Sequence, residues 1–439
     1  MLASVFSKRI DNKISLDVVS NGKTFTESMR RIRPDHFYIF SNSGGCPQNQ
    51  LDGGRIVSYL AQNGYTYSRK AGNCGIIIIN SCAYNSLKEN QSFQKTIEYD
   101  EPGRTILLTG CMPKIAPDIT SGLPKRVKVI AGCEPEKIED IFPPKKSSWN
   151  EIKINHIPEI LFRYVKKFRR ILFLLISLIR KNLPLRVVHH LDRLLMYEHT
   201  PGSFIVEISK GCAGNCAYCA IRLSRGKLKS KPAREILEEI HSGIKKGVRE
   251  IMLTATETSA YGLDIGSSLA SLLKSIVKLL TNQKLIIFYA NPRWLISDWQ
   301  NLKPVFESGK IHFIHLSLNG GSNNVLKGMK RGYTLEEFED LINSIKELSP
   351  RTILQTQVIT GFPGETEEDF KITTDFFKRI YFHNVQVHAF DPRPGTEAFK
   401  MSGRIAAKVA QKRRRRLYLL TLRRKIIYDL KYLTGSAAV

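Results

Sequence analysis

Cys212, Cys216 and Cys219 stand in Gly211-Cys212-Ala213-Gly214-Asn215-Cys216-Ala217-Tyr218-Cys219-Ala220, at intervals of four and three residues. Three thiolates so spaced, on a short loop with Gly211 and Gly214, can wrap one face of a cubane iron–sulfur cluster. They hold three irons and leave the fourth open, whereas fully ligated clusters usually take four cysteines. An open iron can bind a substrate or cofactor, as an open position does at a catalytic metal. The plain alternatives are a zinc site and structural cysteines. Zinc knots usually show two paired C-x2-C or Cys/His elements, and no second pair follows here.

Three further cysteines follow strand-like runs. Cys46 comes after the run 36–42, Cys82 after 76–80 and Cys111 after 105–109. In a parallel sheet the C-terminal strand ends share one edge, so these thiols can converge despite their separation. They would form a second three-cysteine cluster with an open iron. Three unrelated core cysteines are the alternative, and the shared position after successive strands argues against it. Cys74 and Cys133 match no such pattern and read as ordinary core residues.

The elements that must carry these loops fall into two alternations. From 36 to about 145, strands at 36–42, 76–80, 105–109 and 126–131 alternate with helical patterns such as 51–62, a small doubly wound α/β unit. From Phe204 a second alternation begins, with strands expected at 204–209, 250–255, 285–290, 312–318, 353–360 and 385–390. Six βα units suggest a parallel, partly closed barrel, whose chemistry collects at the C-terminal strand ends. Cys212 lies just beyond the first of them. The fold class is therefore α/β: an N-terminal doubly wound α/β domain, a partial (β/α)6 barrel and a basic C-terminal helix. The expected divisions are an extension at 1–35, the α/β domain at 36–145, a basic linker at 146–200, the barrel at 201–400 and the basic helix region at 401–439.

The chain has 439 residues, enough for two or three domains. Lys plus Arg outnumber Asp plus Glu by 67 to 40, a net charge of +27, which suggests a polyanionic partner: nucleic acid or an anionic membrane surface. Eight cysteines in a chain this long do not look like a disulfide framework. Cluster thiolates need a reducing compartment, so the expected location is cytoplasmic. The N-terminus lacks the apolar core of a signal peptide. The longest apolar run, 171–179, is far short of the ~20 residues a spanning helix needs, so stable membrane insertion is not expected. Two basic segments remain. One is 162–193, a linker helix or a surface for RNA or membrane; His189-His190 within it has no partner motif. The other is the amphipathic helix expected at 407–433, with Lys412-Arg413-Arg414-Arg415-Arg416, either an RNA-holding element or a barrel-packing helix with a solvated basic face.

The spacing C-x3-C-x2-C resembles the radical S-adenosylmethionine (SAM) superfamily, and Tyr218 fits its habit of an aromatic before the last cysteine. The longer resemblance is to the radical-SAM methylthiotransferases, over about residues 38 to 400. It is carried by Gly45-Cys46-Pro47-x-Asn49-x-x-Asp52, Asn80-Ser81-Cys82, Thr109-Gly110-Cys111-Met112-Pro113, the triad loop and Ala260-Tyr261-Gly262-x-Asp264. Further on it is carried by Gly321-Ser322, Met329-x-Arg331-x-Tyr333-Thr334, Gly361-Phe362-Pro363-Gly364-Glu365-Thr366 and Arg393-Pro394-Gly395-Thr396. The stretches 220–228 and 258–262 resemble the branch acting on threonylcarbamoyl-adenosine of tRNA; Cys46-Pro47-Gln48-Asn49 resembles the branch that modifies a ribosomal-protein aspartate. Family members usually end in a small RNA-gripping β-barrel, TRAM, and the residues after the barrel here look too few for it.

The resemblance implies two [4Fe–4S] clusters with SAM as cofactor. The cluster on Cys212, Cys216 and Cys219 would make the radical, and that on Cys46, Cys82 and Cys111 would carry the sulfur to be donated. It implies a transferase that inserts a methylthio group at a C–H bond, C2 of a modified adenosine beside the tRNA anticodon. A ribosomal protein, peptide or small metabolite is the alternative substrate, and a low-potential electron donor is an implied partner. Tyr218, Glu257, Asn291, Asn319 and Arg393 are the candidates for the cofactor pocket. Glu257 and Asn319 could meet SAM hydroxyls or its methionine moiety, or be solvated or satisfied polar residues. Asn291 could line the SAM site or end a strand, and Arg393 could anchor SAM or substrate or close a turn. The turn 361–366 could approach the adenine through its backbone or merely be tight.

Overall fold

The computed structural model describes residues 32–42, 46–156 and 203–433. The segment 162–193 and His189-His190 lie outside the described residues. Five parallel strands form the first sheet: β1 (Arg33–Ser41), β2 (Thr66–Tyr67), β3 (Cys74–Ser81), β4 (Thr105–Gly110) and β5 (Val127–Val129). Their order is β2-β1-β3-β4-β5, so the chain winds outward in both directions from β1 and β3. Ligands of such sheets bind at that switch point, beyond the strands' carboxyl ends. The central β3 is Cys-Gly-Ile-Ile-Ile-Ile-Asn-Ser and is buried throughout, as a β-branched run covered on both faces should be.

The second sheet is also parallel: β6 (Phe204–Glu207), β9 (Glu250–Thr254), β10 (Lys284–Ala290), β11 (Ile311–Asn319), β12 (Ile353–Thr360) and β13 (Asn384–Ala389), in the order β13-β12-β11-β10-β9-β6. All six strands fall where the apolar runs put them. A two-stranded antiparallel pair, β7 (Ser209–Lys210) and β8 (Lys229–Ser230), was not expected. Two residues carry no period to read, yet this pair closes the base of the loop that holds Cys212, Cys216 and Cys219.

Period two splits the barrel strands between two cores. Val206, Leu253, Ile287, Leu316 and Leu354 face outward, against Ile240, Leu273, Phe306, Phe338 and Phe376 of the surrounding helices. Ile205, Met252, Ile286, Phe288, Phe313 and Ile353 face inward and share a core with Phe37, Ile39, Leu51, Tyr59 and Trp149 of the first domain. The open barrel is thus filled from the N-terminal side of the chain. Phe288 and Phe313 stack at its centre with ring centroids 5.0 Å apart.

Four sequence expectations need correction. The first strand begins at Arg33, inside the supposed extension. The first helix begins at Pro47, because Cys46 is its N-cap and proline suits the first turn; the apolar period becomes visible only from Leu51. Cys133 is exposed and belongs to no core. The helix at Ala407–Leu433 is present, but its basic run is not all solvated. Arg413 is buried, and its guanidinium donates to Glu365 Oε2 (2.6 Å) and Glu367 Oε1 (2.5 Å). Lys412, Arg414, Arg415 and Arg416 are exposed. Ala410 and Leu417 face the barrel, whereas Leu419, Ile426 and Leu430 are exposed, so the apolar residues do not make one stripe. Among the described residues no helix is long and apolar enough to cross a membrane.

If the shared core joins the two domains, Phe313→Ala should cost about 3–5 kcal/mol by leaving a cavity there. Leu419→Ala, at an exposed position of the last helix, should change stability by less than about 0.5 kcal/mol. Urea denaturation midpoints measure both. Equal midpoints would mean that the inward face contributes nothing.

Candidate active site

Cys46, Cys82 and Cys111 follow β1, β3 and β4, and a polar lattice holds their loops together. Asn49 Nδ2 donates to Asn80 Oδ1 and to the Ser81 carbonyl, both at 3.1 Å, and Asn80 Nδ2 returns a bond to the Asn49 carbonyl at 2.8 Å. The Ser81 hydroxyl donates to the Thr109 carbonyl and accepts from the Met112 amide. Gly110 has φ 91°, and a Cβ there would collide with the Ser81 carbonyl. The loop before Cys111 therefore lies against the loop before Cys82 only with glycine. The motif residues Asn49, Asn80, Ser81 and Gly110 thus put three thiols on one sheet edge.

The other triad sits on the loop between β7 and the short helix Ile221–Arg225. Gly211 has φ 70° and runs against the Lys227 carbonyl with no room for a Cβ. The Gly214 amide donates to Cys212 Sγ at 3.2 Å, and the Cys219 amide to the Cys216 carbonyl at 3.1 Å. Arg331, which carried no assigned role in the sequence, donates from Nη1 to Cys216 Sγ at 3.1 Å and from Nη2 to Asn291 Oδ1 at 2.9 Å. Its place in the Met329-x-Arg331-x-Tyr333 motif was the available signal.

Burial pushes the Cys212 thiol up to about 12, with Glu257 adding to the shift, and the Cys219 thiol up to about 11, with Cys216 adding. Cys82 is raised by burial and by Cys111 beside it, and Cys46 by burial. Thiols raised in this way need a cationic partner to become thiolates. A cubane, which offers a separate iron to each sulfur, suits such triads.

The two triads face one another. Cys82 of one and Cys219 of the other both lie within electrostatic range of the Tyr84 hydroxyl. Gln48, two residues after Cys46, donates to Glu207 at the end of β6 (2.8 Å) and accepts from Thr256 just beyond β9 (2.7 Å). Arg225 forms an ion pair with Asp52, and Tyr289 of β10 stands with its hydroxyl against the Cys46 thiol. None of these cross-domain partners was predicted, because one sequence does not say which barrel strand meets which loop.

The pocket candidates divide. Asn319 is buried at the end of β11 with φ 66°, and its Oδ1 has no hydrogen-bond partner among the described residues. A buried acceptor left open in this way fits a ligand that donates to it. Glu257 is buried beyond β9, and burial raises its pKa. Its Oε1 accepts from the Ser259 amide and hydroxyl and from the Asn291 amide. Asn291 caps the helix Pro292–Ser297 and receives Arg331. Tyr218 packs against a cluster that includes Ala217, Met329 and Phe362. Arg393 is matched by a buried ion pair with Glu89 of the helix after Cys82, so its charge joins the domains. The Gly361 amide donates to Glu365, and the turn packs on Ala410.

Residues 206–377 match the radical SAM superfamily, and residues 38–132 match uncharacterized protein family UPF0004. The chain is 30% identical over 404 residues to a probable threonylcarbamoyladenosine tRNA methylthiotransferase of Pyrococcus abyssi, covering 91% of this chain and 88% of that protein. It is 30% identical over 396 residues to a protein of the same description in Methanocaldococcus jannaschii, covering 89% and 83%. The fold is shared with the radical S-adenosylmethionine methyltransferase TsrM from Kitasatospora setae, at TM-score 0.53 and 12% identity over 83% of this chain and 75% of that one. With 30% identity across most of both proteins, this chain belongs to the radical-SAM methylthiotransferase family.

Proposed function

We propose that this chain inserts a methylthio group into a tRNA adenosine that already carries threonylcarbamoyl, at C2, using SAM and two [4Fe–4S] clusters. The observation that supports it most is the pair of cysteine triads on facing strand ends, in a chain whose archaeal relatives are described as threonylcarbamoyladenosine tRNA methylthiotransferases. When bound, these cofactors supply radical abstraction of hydrogen and a sulfur donor.

The chain's own residues divide the work. Cys212, Cys216 and Cys219 hold the first cluster, with Arg331 setting the Cys216 sulfur. Asn319, Glu257 and Asn291 line the place for SAM, and Tyr218 backs the triad loop. Cys46, Cys82 and Cys111 hold the second cluster. The meeting of the two edges at Tyr84 brings the abstraction site near the sulfur site, so the substrate carbon need not travel between them. Electrons come from a low-potential donor, and the reducing conditions this needs fit a cytoplasmic enzyme. The proposed division of the chain is an α/β domain, a linker, a barrel and a basic helix.

Mass spectrometry of tRNA nucleosides from a deletion strain tests the substrate: the methylthiolated nucleoside should vanish and return with the wild-type gene. An unchanged nucleoside profile would turn attention to a protein or metabolite substrate.

Cys216→Ala should abolish formation of deoxyadenosine from SAM under reducing conditions. Cys82→Ala should keep some cleavage and stop methylthio transfer. Full product from Cys82→Ala would disprove the division of labour between the triads.

Replacing Arg414, Arg415 and Arg416 by Gln should weaken tRNA binding and flatten its salt dependence by up to ~0.9 in log–log slope per lost duplex phosphate contact. Arg413 is left out because its charge is satisfied inside the protein. Filter binding across a salt series measures both. An unchanged slope would leave the helix a packing role only.

A further inference from the structure

Arg225 ends the short helix that leaves the Cys219 loop, so it belongs to the barrel. Its partner Asp52 belongs to the helix that Cys46 caps, so it belongs to the first domain. The Arg225 side chain is 6% exposed and that of Asp52 18%. A guanidinium has five N–H donors. Nη1 is engaged by Asp52, but Nη2 is buried with no hydrogen-bond partner among the described residues. Leaving a buried donor unmet is destabilising, and more so when it is charged. Besides Asp52, the side chains of Cys111 and Cys46 lie within electrostatic range of this guanidinium.

A second barrel side chain points the same way. Tyr289 has φ 55°, a conformation that a bulky residue rarely adopts. It lies where the β10–β11 register shifts between Ile287 and Ala290, and the irregularity turns its hydroxyl toward Cys46. Strained backbone of this kind persists when the surroundings hold it and often marks a functional position.

We propose that Arg225 is a positioning residue that the barrel lends to the first domain's cluster: fixed by Asp52, it directs its unmet Nη2 donors at the Cys46–Cys111 side and raises the cluster's reduction potential, with Tyr289 as a weaker second donor. This rests on the two-cluster reading above. A cluster on three thiolates becomes more anionic when it gains an electron. A fixed cation in a buried setting stabilises the reduced form more than the oxidised one. Hydrogen bonds to cluster sulfurs act in the same direction and are among the levers that set such potentials. Because Arg225 leaves the same loop as Cys219, any shift of the radical triad would move the charge at the other cluster.

The test uses the full chain, anaerobically reconstituted, with Cys212, Cys216 and Cys219 replaced by Ala so that one cluster remains. Its potential is followed by EPR during redox titration. Arg225→Gln should lower the reduced-to-oxidised ratio at fixed potential about tenfold, about 59 mV for one electron. Arg225→Lys, which keeps the charge, should recover most of that shift. Tyr289→Phe should move the potential the same way by less. Potentials unmoved in both Arg225→Gln and Tyr289→Phe, at full iron content, would overturn the proposal. Should Arg225→Gln lose its iron because Asp52 is left unpaired, Tyr289→Phe decides: a lowered potential upholds the assignment and an unchanged one overturns it. Absence of iron from the starting three-cysteine variant would instead overturn the two-cluster reading itself, and this proposal with it.

Discussion

The arrangement depends on the packing of the barrel's inner face against the first domain. Ile205, Met252, Ile286, Phe288, Phe313 and Ile353 come from five different strands, and none has a partner within the barrel strands' own outward core. A six-stranded open barrel cannot fill its own interior. Leu51, Tyr59 and Trp149 supply the missing volume. This apolar contact is non-directional, so it can join the domains but cannot by itself set their register. Directional bonds at the rim do that: Gln48 to Glu207 and Thr256, Glu89 to Arg393, and the Ser86 amide to Asp391 at 2.5 Å. All of them lie at the C-terminal ends of strands, where the cysteines also lie.

Much of this was legible, for definite reasons. Both sheets are parallel and buried on both faces, so their strands appear as continuous apolar runs. The cysteines were readable because each follows such a run. The motifs were readable as a family resemblance, but several serve the scaffold around the chemistry. Asp264 accepts from the Ser230 amide and hydroxyl at 2.8 and 2.6 Å and steadies the β7–β8 pair under the radical triad. Ser322 and Asn324 both donate to Asp369, tying the Gly321-Ser322 turn to the helix after β12. Asn49, Asn80 and Ser81 bind each other and so hold the cysteine loops together.

What could not be read was partnership across the two alternations. Arg393 looked like an anion anchor because it sits at a strand end, but Glu89 lies more than three hundred positions away in sequence and no periodicity links them. Arg413 looked like one more member of a solvated basic run. Its difference from Arg414 is only the face of the helix on which it falls, which brings it to Glu365 and Glu367. Arg225 and Arg331 were visible as motif letters, but their reach to opposite triads is a property of the assembled site.

Those two arginines show how one barrel can meet two cysteine triads differently. Arg331 is fully engaged: Nη1 meets Cys216, and Nη2 meets Asn291 and the Ser317 carbonyl. Its charge is fixed in a web of barrel atoms, and the Cys216 loop inherits that rigidity. Arg225 is engaged on one side only, by a carboxylate from the other domain. A buried ion pair that spans a domain boundary holds both partners in place, because separating them would leave a charge stranded. The Asp52–Arg225 pair therefore acts as a latch that is strongest when the domains are in register. Any opening of the interface would remove a cation from beside Cys46 and Cys111 at the same moment that it separated the two triads. The Asp52–Arg225 contact thus couples geometry and charge at the first domain's thiols.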